Sequence, residues 1–165
     1  MTRNRILCAL GFALLSAAAA ASPAADDAAL TRMVTCRDSW LDWQTAGDPR
    51  LPRFAAQLHA GYAAHGNDAY VLPRTRSTVA GLPVLQLYPN SVGMGVGISV
   101  LVAAPFDAAR KAIEQNLGRP LAHCATEEGM TSCELQISEK RTVTLMQDDP
   151  KDATTLVACY YYYER

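Results

Sequence analysis

Residues 133–147, CELQISEKRTVTLMQ, decide the fold of this chain. Apolar Cys133, Leu135 and Ile137 alternate with polar Glu134, Gln136 and Ser138, and Val143 and Leu145 are set between Thr142, Thr144 and Met146 in the second run. A two-residue period sends one face of each run toward a core and the other away from it. The Glu139-Lys140 pair between the runs gives a place to turn, so the segment reads as a β-hairpin. Hairpins need no crossover helix. A sheet assembled from them is antiparallel, and a chain that also carries helices is then α+β rather than doubly wound.

Working downstream, residues 154–163 form the last strand and end on Tyr160-Tyr161-Tyr162-Tyr163. Upstream, residues 84–88 read as a strand between Pro83 and the turn Pro89-Asn90-Ser91, and residues 92–103 as its antiparallel partner. In that partner Gly93, Gly95 and Gly97 share one face, and Met94, Val96, Ile98, Val100 and Val102 share the other. Bare glycine positions in a strand imply a close neighbour or a bend, so either a helix pressed on that face or a coiled ribbon is expected. Residues 121–125 are a weaker strand candidate.

Three helices complete the pattern. Asp26 and Asp27 cap a first helix carrying Leu30, Met33, Val34, Cys36, Trp40 and Leu41 at near-helical spacing, with Gly47 as its stop. Asp48 and Pro49 start a second, whose stripe of Leu51, Phe54, Ala55, Leu58 and Tyr62 ends near Gly66-Asn67. Pro105 and Asp107 open a third with Phe106, Ala109, Ile113 and Leu117 on one side and Gly118 and Pro120 beyond it. The expected order is ααββαβββ: two N-terminal helices, then a mostly antiparallel sheet of four to five strands, with helices packed on one face. Residues 68–77 are expected to be a linking loop.

The first residues read as an export signal. A basic stretch holding Arg3 and Arg5, an apolar run over residues 6–21, and small residues around positions 21–24 occur in the order a signal peptidase requires. The apolar run is short of the ~20 residues needed to span a bilayer. Residues 1–24 are therefore expected to be a signal peptide cleaved near 21–24, residues 25–165 a single α+β domain, and the mature chain periplasmic or secreted with no integral membrane span. Cys8 leaves with the signal. The remaining even set, Cys36, Cys124, Cys133 and Cys159, fits two disulfides in an oxidising compartment. Four cysteines allow three pairings. The turn-rich Glu127-Glu128-Gly129-Met130 makes a local Cys124–Cys133 bridge easy, which leaves Cys36 for Cys159.

Charge and motifs narrow the function classes. The chain has 15 basic and 16 acidic side chains, a formal net charge of −1, and losing Arg3 and Arg5 takes this to about −3. That balance offers no concentrated basic face, so no nucleic-acid partner is expected. The glycines at 93, 95 and 97 are followed by more strand instead of a helix N-terminus, so they are not a dinucleotide fingerprint, and no cofactor is expected. His59 and His65 are six apart and cannot share a metal from one helical face. His123 beside Cys124 is a thiol-base couple only with a reduced thiol. The carboxylate pairs Asp26-Asp27, Glu127-Glu128 and Asp148-Asp149 fall at caps and turns, where acidic residues are ordinary. No catalytic or metal-binding residue is nominated, and the reading leans away from an enzyme.

What remains is recognition chemistry. Consecutive residues of a strand face opposite ways, so Tyr160, Tyr161, Tyr162 and Tyr163 place two rings on each side of the sheet. One pair completes a core, and the other offers a large contact area with a polar tip. Trp40 and Trp43 share a helical face, for core packing or, if exposed, for a partner. The expectation is an exported, non-catalytic module that binds another envelope or secreted protein, as an inhibitor or an immunity-type protector. A small secreted hydrolase with dispersed catalytic residues and a structural factor in envelope assembly are the alternatives.

Overall fold

The computed structural model describes residues 24–64, 71–89 and 96–161. The signal region, His65, the expected second-helix stop at Gly66-Asn67, residues 92–95 with Gly93 and Gly95, and Tyr162 and Tyr163 lie outside the described residues.

One serine cap and two left-handed residues set the helical N-terminal part. Helix α1 (Ala24–Val34) ends where the chain folds back on it. The Arg32 carbonyl accepts from the N–H groups of both Arg37 and Asp38, at 2.8 and 3.1 Å, and Cys36 is left-handed at φ 56°. Helix α2 (Trp40–Ala46) then starts afresh, with the Ser39 hydroxyl accepting from the Asp42 N–H at 3.1 Å and Gly47 closing it at φ 62°. The single first helix expected over this stretch is thus two, because the backbone reverses at Cys36. Helix α3 (Arg50–Gly61) follows as expected, although it stops at Gly61 and Tyr62 enters a strand.

Four helices and nine strands occur among the described residues. The strands are β1 (Tyr62–Ala64), β2 (Val71–Pro73), β3 (Thr78–Val79), β4 (Leu82–Tyr88), β5 (Val96–Val102), β6 (His123–Glu127), β7 (Met130–Ser138), β8 (Arg141–Gln147) and β9 (Thr155–Tyr161), with helix α4 (Phe106–Leu117) between β5 and β6. Their order across the sheet is β1-β2-β4-β5-β9-β8-β7-β6, every pairing is antiparallel, and β3 pairs beside β4. The α+β class therefore holds, while the expected four to five strands in the order ααββαβββ are corrected to nine. Short strands account for most of the difference. Residues 71–73, inside the stretch 68–77 expected as loop, form β2; Thr78 and Val79, just beyond it, form β3, and Ala80 and Gly81, both at positive φ, turn β3 into β4.

All four helices feed one face of this sheet. Leu30, Met33 and Val34 of α1, Trp43 of α2, Phe54 of α3 and Ala109 and Ile113 of α4 join Leu87, Ile98, Val100, Val102, Val143, Leu145, Val157 and Cys159 in one buried cluster. Each fully buried aliphatic side chain of this kind contributes about 1.5–3 kcal/mol of burial free energy. Gly97 points to the other face, opposite Tyr160 in the ladder, and the helices among the described residues pack on the valine face of β5. Two disulfides complete the framework. Cys36–Cys159 ties the α1–α2 turn to β9, and Cys124–Cys133 joins directly opposed residues of β6 and β7. No helix among the described residues is long and apolar enough to cross a membrane.

Candidate binding face

Register assigns the side chains on the sheet face opposite the helices. Leu101, Leu156 and Met146 stand in one cross-strand row over β5, β9 and β8, with Gln86 on β4 and Ser132 on β7 at its ends. The next row runs Tyr88, Ser99, Ala158, Thr144 and Glu134. A third holds Gly97, Tyr160, Thr142 and Gln136. None of Leu101, Leu156, Met146, Tyr88 or Tyr160 belongs to the helix-side core or packs against it.

These rows form a graded surface. Ser99, Ala158 and Thr144 are buried, at 1%, 0% and 1% exposure, whereas the larger side chains flanking them are half-buried. Small residues in the middle row lie between an aliphatic row on one side and Tyr160 on the other, the rows being about 7 Å apart along the strands. Polar groups on the face are tied to one another. The Tyr88 hydroxyl donates to Gln86 Oε1 at 2.6 Å, and the Thr144 hydroxyl to Glu134 Oε1 at 3.4 Å.

The aromatic residues singled out in the sequence divide between the two faces. Tyr161 points into the helix layer, where Trp40 meets it edge-on with ring centroids 5.7 Å apart. Burial pushes its hydroxyl up to a pKa of about 12; Ser39 and the Trp40 main chain oppose that shift from nearby, yet neither reaches bonding geometry with the hydroxyl. The Trp40 Nε1 is likewise buried without a hydrogen bond. Trp43 is 8% exposed, packs edge-on against Phe54 and lies 4.7 Å beneath the Arg50 guanidinium. Trp43 and Tyr161 are therefore core residues. Tyr160 alone of the described tyrosine run faces the other way.

Charged groups cluster around α2 and serve the helix ends. Arg32 binds Asp38 through two bonds of 2.7 and 3.0 Å, Arg50 binds Asp48 at 2.6 Å, and Arg141 donates to the Cys36 carbonyl at 3.2 Å and approaches Asp42 at 3.7 Å. The Arg50 partner holds the Asp48 carboxyl below its ordinary range. At the end of α4, Glu114 accepts from Arg110 at 2.8 Å and from the Leu121 N–H at 3.0 Å, which lowers its pKa in the same way. A cleft of about 460 Å³ between α1, α4 and the β3–β4 turn is lined by Thr31, Arg32, Arg37, Thr78 and Asn116, and the Arg37 guanidinium donates to the Asn116 carbonyl.

Histidines and acidic pairs lie apart from these features. His59 is exposed on α3, and His123 is exposed on the edge strand β6, next to a cysteine that is disulfide-bonded. Glu128 and Gly129 form the β6–β7 turn at φ 52° and 90°, and Asp149 Oδ1 accepts from the Lys151 N–H at 2.8 Å in the β8–β9 turn. No group of three or more His, Cys, Asp or Glu among the described residues could hold a metal ion. The aliphatic row Leu101–Leu156–Met146 escaped sequence reading because Leu156 and Met146 sit in strands whose stronger alternation points to the core. The register that brings the three together joins segments 55 residues apart. No protein-family model, curated protein or solved structure matches the chain.

Proposed function

We propose that this protein is an exported, non-catalytic binding module that engages another envelope or secreted protein through the sheet face opposite its helices, as an inhibitor- or immunity-type protector. The observation that carries the reading is the aliphatic row Leu101–Leu156–Met146, flanked by Tyr160, on a face that contributes nothing to the helix-side core. Half-buried aliphatic and tyrosine side chains around small buried ones suit a partner that presents its own aliphatic side chains, since contact area and a polar rim together favour recognition. The carboxylates with shifted titration, Asp48 and Glu114, are held by arginines at helix ends, which is structural work. Export is supported by the basic, apolar and small-residue order of residues 1–24 together with two disulfides.

Site-specific photo-crosslinking in living cells tests the proposal. A crosslinker at Leu156 is expected to trap one envelope protein, a crosslinker at exposed Lys111 on α4 to trap none, and a Leu101→Ala, Tyr160→Ala variant carrying the Leu156 crosslinker to lose the product. Equal trapping from both positions, or a product indifferent to the double substitution, would overturn the assignment of the face.

A further inference from the structure

Among the described residues the sheet ends at β6, and that edge is unusually well prepared for pairing. All five residues from His123 to Glu127 are exposed, and β6 pairs with β7 in unbroken register. Cys124 and Cys133 are directly opposed with Cα atoms 4.0 Å apart, the spacing of a non-hydrogen-bonded antiparallel pair. The N–H and C=O of Cys124 therefore point away from β7, and by the two-residue period so do those of Thr126, while Ala125 bonds inward. Edge strands are ordinarily blunted by proline, lysine or a bulge. β6 contains none of these, and the disulfide holds it extended.

We propose that β6 is a self-association edge, pairing antiparallel with β6 of a second copy about a two-fold axis at Ala125. Hydrogen-bond phase permits this register, and the side chains single it out. Centred on Ala125, Cys124 of one copy faces Thr126 of the other, so both members bring outward-pointing main-chain groups. Each such pair exchanges two hydrogen bonds, and the symmetry supplies two pairs. Ala125 meets its own copy in the close, non-hydrogen-bonded position, where a methyl side chain fits. His123 then falls opposite Glu127 of the second copy at both ends, in the closer type of pair, where an N–H donor and a carboxylate attract. Centring on Cys124 sets His123 opposite Ala125, and centring on Thr126 sets Glu127 there; neither shift pairs the imidazole with the carboxylate. Because His123, Ala125 and Glu127 share a side with Ser132 and Glu134, the two sheets would join their helix-free faces into one continuous surface.

Sedimentation velocity on the disulfide-bonded mature protein, carried to hundreds of micromolar, reads the result. The expected behaviour is a concentration-dependent monomer–dimer equilibrium, with amide exchange slowed at Cys124 and Thr126 as the dimer forms. Thr126→Pro removes an outward N–H and leaves the main-chain bonds of the β6–β7 ladder, losing only the exposed 3.2 Å hydroxyl contact of Thr126 with Thr131, so it should abolish the dimer and shift the monomer's melting temperature little. His123→Glu and Glu127→Lys should each weaken self-association by about tenfold, and mixing the two variants should restore dimers, because every cross-strand pair is then attractive. A monomer at all concentrations, a Thr126→Pro variant that dimerises like the parent, or a mixture that stays monomeric would overturn the proposal.

Discussion

Removing the Cys36–Cys159 bridge should destabilise the protein far more than removing Cys124–Cys133, and the structure sets the size of the difference. A disulfide acts mainly by restricting the unfolded chain, and the restriction grows with the logarithm of the closed loop. With a sequence separation of 123, the Cys36–Cys159 bridge corresponds to about 5 kcal/mol at 25 °C. The separation of 9 for Cys124–Cys133 gives about 2.6 kcal/mol. Nesting the short loop inside the long one shortens the latter by only nine residues, which changes its logarithm negligibly. Cys36 adds a complication, because at φ 56° an alanine is strained by roughly 1 kcal/mol where glycine is not. The clean comparison is therefore Cys36→Gly, Cys159→Ala against Cys124→Ala, Cys133→Ala. Urea unfolding followed by the fluorescence of Trp40 and Trp43 reads both, since Trp40 contacts Tyr161, two residues from Cys159. At a slope of about 1–3 kcal/mol per molar urea, the first variant should lose several molar in its midpoint, or fail to fold outright, and the second about half as much. Equal losses, or a larger loss from the local bridge, would refute the loop-closure reasoning.

Three further outcomes follow from single side chains. Tyr161 carries a folded-state pKa of about 12 against an ordinary value of 10, so its neutral form is favoured by folding, and the stability this brings is present below pH 10 and falls away between pH 10 and 12. Tyr161→Phe should flatten that alkaline decline, worth about 2–3 kcal/mol, and cost almost nothing at neutral pH because the hydroxyl makes no hydrogen bond; a steep decline that persists in the variant would count against it. Glu114→Ala should lower stability by about 1–2 kcal/mol, chiefly by leaving the Leu121 N–H without its acceptor at the end of α4, as measured by thermal melting. Ile113→Ala should cost about 3 kcal/mol and Leu101→Ala about 1 kcal/mol or less in denaturant titrations, since the first residue is fully buried in the helix-side core and the second lies outside it.

Legibility in the sequence followed the strength of local signals. Helix α4 was readable to within a residue because Pro105, an apolar stripe and Gly118 in the left-handed conformation all agree. The β7–β8 hairpin was readable for the same reason, its alternation and its turn pointing to one answer. The break between α1 and α2 was missed because its left-handed residue is Cys36, and a cysteine carries no local preference for that conformation. Its geometry is imposed by a partner 123 residues away. A signal was nevertheless present in Ser39 and Asp42, spaced as a helix N-cap and its third position, and the structure bonds them in that way. Strands β1, β2 and β3 are two or three residues long, too short to display a period, and are held by ladders to other strands, β2 and β3 on β4 and β1 on β2. At the candidate face, Tyr160 could be anticipated from strand alternation alone. Its aliphatic neighbours could not, since they depend on β5 pairing with β9 across the whole of the intervening chain.

The placement of β9 joins the two findings. Lying between β5 and β8, it sends Cys159 and Tyr161 into the helix layer and Leu156 and Tyr160 to the opposite face. Cys159 is anchored to the α1–α2 turn through its bridge, and that turn is held in addition by Arg141 of β8, which donates to the Cys36 carbonyl. The residue adjoining the proposed contact surface is thus fixed covalently from behind, in a strand hydrogen-bonded on both sides. A surface already rigid before contact loses little conformational entropy on binding. The long bridge should therefore support recognition as well as folding. A Cys36→Gly, Cys159→Ala variant that is stabilised enough to remain folded should still bind its partner more weakly than the parent, chiefly through faster dissociation. Unchanged dissociation in such a variant would confine the bridge to a purely conformational role.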